Sequence, residues 1–87
     1  MFYTYIIKSE THQITYKGIT QNPEKRLFEH NSNLSRYTSN KGPWKLVYLK
    51  GFETKTEALI EEKRLKRLNK TSVDKLIDSS DNIIEQA

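Results

Sequence analysis

The sequence predicts a small α/β domain of the α+β type, a three-stranded antiparallel sheet flanked by helices in the order β-β-α-β-α-α. Three observations carry this. Two β-prone stretches, Phe2 to Lys8 and Gln13 to Gly18, flank the polar Ser9-Glu10-Thr11-His12, as in an antiparallel hairpin. A third, Trp44 to Phe52, follows a loop that closes on Gly42-Pro43. Helix-start signals stand at Asn22-Pro23 and at Thr54 or Thr56. A chain of 87 residues has room for one core.

Asn22 suits an N-cap, proline fits the first helical position and Glu24 places negative charge in the first turn, so a short helix should run to about His30. Asn31 to Pro43, rich in Ser, Asn and Gly, reads as a long loop of a length more often functional than decorative. In the third strand, Trp44, Leu46 and Tyr48 share one parity and Val47 and Leu49 the other, the pattern of a strand covered on both faces. The second helix should reach about Leu68, with Ala58, Leu59, Leu65 and Leu68 as its apolar stripe and Lys63, Arg64, Arg67 and Lys70 opposite. Ser72-Val73-Asp74 and Leu76-Ile77 suggest a short last helix. The domain is expected to span residues 1–78, with 79–87 a frayed acidic tail.

Without cysteine there is no disulfide framework or thiolate metal site, and the 2 histidines alone cannot complete a tetrahedral one. No signal-peptide pattern or membrane-length apolar run is present, so the expected location is the cytoplasm and no membrane partner is expected. The net charge of +4 hides an asymmetry. Residues 1–70 hold 14 Lys and Arg against 7 Asp and Glu, whereas 71–87 hold Asp74, Asp78, Asp81 and Glu85 against Lys75. A basic body suits a polyanion, because each neutralised phosphate releases counterions.

Several polar residues stand at spacings that allow chemistry. A hairpin can bring Tyr5 and Tyr16 to one face, with Gly18 two residues beyond. Glycine there lets a backbone approach a phosphate, or simply eases the exit from the strand. Arg26 and His30 lie one helical turn apart on one face, and arginine offers a planar fork for phosphate. Arg26 with Glu29 in a solvated ion pair, and His30 as a helix cap, is the ordinary alternative. Glu62 at the edge of the apolar stripe suits a hard cation, and Asn69 would return to its side if the helix continued; a surface pair with Lys66 is the alternative.

Taken together and in this order, these positions resemble the GIY-YIG nuclease superfamily, specifically its small stand-alone bacterial members. Tyr3-Thr4-Tyr5 stands at the GIY element and Tyr16-Lys17-Gly18 at YIG. Lys25-Arg26-Leu27 matches the family arginine, and Glu29-His30-Asn31, Tyr37-Thr38 and Gly42-Pro43-Trp44 match the small members. Thr56-Glu57-Ala58-Leu59 with Glu62-Lys63 matches the helix carrying the metal-binding glutamate. The likeness runs over about residues 2–77. The first motif lacks Gly and Ile, and the second has Lys17 for Ile. Lys17 has the opposite parity from Tyr16 and should point away from the active face, where it weakens packing or adds a phosphate contact.

The resemblance implies a metal-dependent endonuclease acting on nucleic acid, most simply DNA, with one Mg²⁺ or Mn²⁺ held by Glu62. It implies that Arg26 stabilises charge on the phosphate, Tyr16 accepts a proton from the attacking water, Tyr5 orients water or phosphate, and His30 holds the phosphate or moves a proton. Gly18, Lys17, Lys63, Arg64, Arg67, Asn69 and Lys70 are the substrate-binding candidates. The competing expectation is a binding module with this fold but little or no cutting, and a weaker one is a protein-interaction domain.

Overall fold

A computed structural model describes residues 1–84. Its elements are β1 (Phe2–Ser9), β2 (Thr15–Thr20), α1 (Pro23–Asn31), β3 (Trp44–Phe52), α2 (Lys55–Lys66) and α3 (Lys70–Ile77). The strands form an antiparallel sheet in the order β2-β1-β3, so the α+β architecture and its element order stand as expected.

The hairpin differs in detail. Gln13 takes a left-handed φ of 55°, and Ser9 N–H donates to the Ile14 carbonyl at 2.9 Å, so β2 begins only at Thr15. Ser9 Oγ accepts from the His12 amide at 2.9 Å and donates to the Lys41 carbonyl at 2.6 Å, tying this turn to the long loop.

The simple parity expected of β3 fails at a bulge. Ile6 pairs with Tyr48 but Ile7 with Leu46, which leaves Val47 as the extra residue. Val47 and Tyr48 therefore join Ile6, Leu65 and Val73 on one face, while Trp44 and Leu49 join Tyr5 and Ile7 on the other. Helices α2 and α3 cover the first face. Helix α1 covers the second through Leu27 and His30.

Helix α2 starts at a capping box. Thr54 Oγ1 accepts from the Glu57 amide, and the Glu57 carboxylate accepts from the Thr54 amide. Its inward residues are Ala58, Glu61 and Leu65, whereas Leu59 is 40% exposed and lies outside the expected stripe. The helix stops at Lys66, short of Leu68, because Asn69 opens α3 by accepting from the Ser72 amide at 2.9 Å.

Within residues 79–84, Asn82 and Ile83 hydrogen-bond to β3. β3 is an outer strand, and its free backbone groups need partners. Asn82 Nδ2 donates to the Val47 and Ile77 carbonyls, both at 2.8 Å, and its Oδ1 accepts from the Leu49 amide at 3.1 Å. Ile83 N–H donates to the Leu49 carbonyl at 3.0 Å. The rest of the expected tail, 85–87, lies outside the described residues.

Candidate active site

In the hairpin, Tyr5 pairs with Gly18 and Ile7 with Tyr16, so both tyrosines rise from one face. Their ring centroids are 6.3 Å apart. Gly18 lies directly beneath Tyr5: a Cβ there would sit 2.6 Å from the hydroxyl oxygen and 2.8 Å from Cζ. The glycine has no left-handed φ. What it provides is room for the Tyr5 ring, a use that neither expectation for this residue anticipated.

Helix α1 turns Arg26 and His30 toward the tyrosines. Asn22 caps it, with its side chain accepting from the Lys25 amide at 3.2 Å. His30 Nε2 lies 2.9 Å from the Tyr5 hydroxyl and Nδ1 lies 2.7 Å from Thr38 Oγ1. Its ring is 5.1 Å from that of Tyr16. Thr38 Oγ1 is 3.5 Å from the Ser35 carbonyl. If Thr38 donates there, His30 carries its proton on Nδ1 and accepts from Tyr5 at Nε2. The ring is fully buried. Burial first, and the Arg26 charge second, hold its pKa down at about 4, so it is neutral at physiological pH. A buried ring with both nitrogens bonded is placed to position Tyr5, not to cap the helix or reach a phosphate.

The Arg26–Glu29 pair expected of a solvated surface is present at 3.2 Å. The same guanidinium also reaches Ser35 Oγ at 3.5 Å and lies near enough to the Tyr5 hydroxyl for its charge to pull that phenol's pKa down. Burial pushes the Tyr5 pKa up to about 12, against the opposing pull of Arg26. Tyr5 therefore stays a neutral hydroxyl between an arginine and a histidine, suited to orienting and unsuited to acting as a base.

Glu62 approaches from α2, across the sheet. Its side chain is 18% exposed and pairs with Lys66 Nζ at 3.6 Å. Lys66 shares a surface depression with Tyr16, Lys17 and Tyr37, which places this part of α2 beside the β2 edge. The Glu62 charge is felt at the Tyr5 hydroxyl, as the least of the influences there. A carboxylate is an oxygen donor, which fits a hard cation whose other positions are filled by water and phosphate oxygens. Among the described residues, no three His, Cys, Asp or Glu side chains gather as a closed metal cage.

The other candidates divide. Lys63, Arg67 and Lys70 are exposed. Arg64 is half exposed but clamped on Glu61 by two hydrogen bonds, 2.6 and 2.9 Å long. Asn69 is occupied as the α3 cap. Lys17 has the expected opposite parity, paired with Ile6, but because β2 is an outer strand its side chain still lines the depression that holds Tyr16. Tyr37 and Thr38 were expected only as motif matches. Tyr37 packs on Tyr16 at 5.5 Å with Lys41 over its ring at 4.5 Å, and Thr38 anchors His30. Local pattern carries no signal for either role, because both sit in a loop.

The family model described as the GIY-YIG catalytic domain matches residues 1–76. A UPF0213 protein of Clostridium perfringens is 41% identical over 80 residues, covering 91% of this chain and 85% of that one. A structure-specific endonuclease subunit SLX1 homolog of Giardia intestinalis is 42% identical over 55 residues, 59% of this chain but 15% of that longer protein. The solution NMR structure of a UPF0213 protein from Bacillus halodurans superposes with a TM-score of 0.59 at 29% identity, covering 93% of this chain and 87% of that one. With tyrosines, arginine, histidine and glutamate at the positions described, and the family model spanning nearly the whole chain, this protein belongs to the GIY-YIG nuclease family.

Proposed function

We propose that the protein is a metal-dependent endonuclease that hydrolyses a DNA phosphodiester by in-line attack of water. The observation that carries this reading is the Tyr5–Arg26–His30 cluster packed beside Tyr16, with the Glu62 carboxylate at the neighbouring strand edge. A surface ion pair needs none of these partners.

When bound at Glu62, one Mg²⁺ or Mn²⁺ would offset charge on the phosphate and the leaving oxygen. Arg26, already fixed by Glu29 and Ser35, offers its fork to the phosphoryl oxygens and stabilises the charge that accumulates as the water oxygen bonds to phosphorus. Tyr16 takes the proton from that water as its own hydroxyl proton passes to solvent, and the departing 3′ oxygen takes up a proton from solvent. Tyr5, kept neutral and held by His30, orients the water or the phosphate. The bond from phosphorus to the 3′ oxygen breaks, which leaves a 3′-hydroxyl and a 5′-phosphate.

The reading is tested by incubating single-stranded, duplex and branched DNA with the protein in Mg²⁺, Mn²⁺ or EDTA. Cleavage that requires the cation and yields 5′-phosphate ends is the expected result. DNA binding without cleavage of any substrate in either cation would replace the enzyme with a nucleic-acid-binding module.

A further inference from the structure

A cavity of about 320 Å³ opens between the β1–β2 hairpin and α3, away from the tyrosine cluster. That is the lower end of the range in which small-molecule sites fall, about 300 to 1,000 Å³. Its floor is apolar, made by Ile14, Leu68, Val73 and Ile77. Its rim carries the ammonium groups of Lys8, Lys17 and Lys70 against one carboxylate, Asp74.

Lys17 is the unusual member. Burial lowers its pKa, and its Nζ donates to a neutral group, Thr15 Oγ1, at 3.1 Å. A half-buried ammonium on a neutral hydroxyl is a poor end in itself and a good seat for an anion.

The cavity is also connected to the chemistry. Thr15, Lys17 and Tyr37 line both this cavity and the depression that contains Tyr16 and Lys66. Because β2 is the outer strand, a chain leaving the tyrosine face can pass round its edge, over Lys17 and along the exposed Tyr37 ring, into the cavity. An aromatic ring, an apolar floor and a cationic rim together fit a molecule with a flat apolar part and a phosphate.

We propose that this cavity is a subsite for one unstacked nucleotide flanking the scissile phosphate, its base on the apolar floor and its phosphate on Lys17 and Lys70. The subsite rests on the nuclease reading for its connection to the cut, and its binding chemistry is testable without cleavage. The substrate strand would be required to release one nucleotide from its neighbours beside the cut, so a fully stacked duplex would fill the active face and leave the cavity empty.

The test is a ¹H–¹⁵N NMR titration of the metal-free protein with deoxyadenosine 5′-monophosphate, with deoxyribose 5-phosphate, and with inorganic phosphate. The expected result is that the nucleotide shifts the amides of Ile14, Lys17, Val73 and Asp74, and that removing the base weakens binding at least tenfold. Lys17→Gln should weaken the nucleotide several-fold, with the spectrum elsewhere unchanged. Equal binding of nucleotide and sugar phosphate, or shifts confined to the Tyr5 and Arg26 region, would overturn the subsite. Cation-dependent cleavage by a protein whose cavity ignores the nucleotide would keep the nuclease and remove the subsite. Nucleotide in the cavity of a protein that cuts nothing would keep the subsite and remove the nuclease.

Discussion

Gly18 and Tyr5 occupy one space between them, and this gives the glycine a test of opposite sign to the usual one. A glycine in the middle of a strand that serves no special purpose is destabilising by about 0.5 to 1 kcal/mol relative to alanine. Because a Cβ at Gly18 would meet the Tyr5 ring, Gly18→Ala should instead lose about 1 to 3 kcal/mol by overpacking and displace the hydroxyl from His30. Thermal denaturation and the cleavage rate of the variant check this: both should fall. A gain in melting temperature would show that the ring moves aside without cost. His30 supports a second prediction. Its folded pKa of about 4 lies below the ordinary 6.5, so the unfolded chain binds the extra proton first. Its contribution is fully present above about pH 6.5 and is lost as pH falls through 4, amounting to about 3 kcal/mol. Urea denaturation of the wild type and His30→Gln across pH 4 to 7 should show a steeper acid loss in the wild type. Parallel profiles would contradict a neutral buried His30. Of this cluster, Tyr5, Tyr16, Arg26 and His30 were readable as residue types at spacings. That His30 is buried under Tyr5 was not, because its partner Thr38 comes from a loop without periodicity.

At the scale of the element, helix α2 shows what a charged sequence conceals. Adjacent glutamates point to different surroundings: Glu61 faces the sheet, accepting from Tyr48 at 3.3 Å and from Arg64, while Glu62 lies toward the β2 edge. The Arg64 hydrogen bonds, foremost, keep the Glu61 carboxyl below the usual range. Glu61→Ala should therefore cost about 1 to 3 kcal/mol by leaving the buried Tyr48 hydroxyl without its acceptor. Glu62→Gln should stay within about 0.5 kcal/mol of wild type, the value of a surface pair. Chemical denaturation of the two variants separates them, and equal losses would contradict the assignment. The helix start was legible to within two residues, because a threonine ahead of an apolar stripe is a local signal; the structure selects Thr54 over Thr56. The helix end was not, since Asn69 acts as a cap only once α3 exists. The β3 bulge and the clamp of Asn82 on its edge escape sequence reasoning for the same reason: both depend on which strand lies alongside.

Over the whole molecule, the basic excess of residues 1–70 makes any nucleic-acid binding salt-dependent. Arg64 is neutralised by Glu61, so Lys63, Arg67 and Lys70 are the members of the α2–α3 face left to meet phosphates. Three phosphate contacts at about 0.7 to 0.9 each predict that log affinity falls by about 2 to 3 per tenfold rise in salt. Fluorescence anisotropy in EDTA measures this, and a flat dependence would remove polyanion binding from the account. The sequence showed the charge asymmetry but not that one of the four cations is internally paired.

The most direct test of the account compares cleavage and metal-free DNA binding by the wild type and Glu62→Gln. Glutamine keeps the size and the helix propensity while removing the charge that recruits the cation. Cleavage should fall by at least about a hundredfold, the scale of losing a charge-stabilising group at a reacting centre. Binding in EDTA should be equal or slightly tighter, because one negative charge facing the phosphate is gone. Undiminished cleavage by Glu62→Gln, with intact binding, would contradict the placing of the cation on this carboxylate.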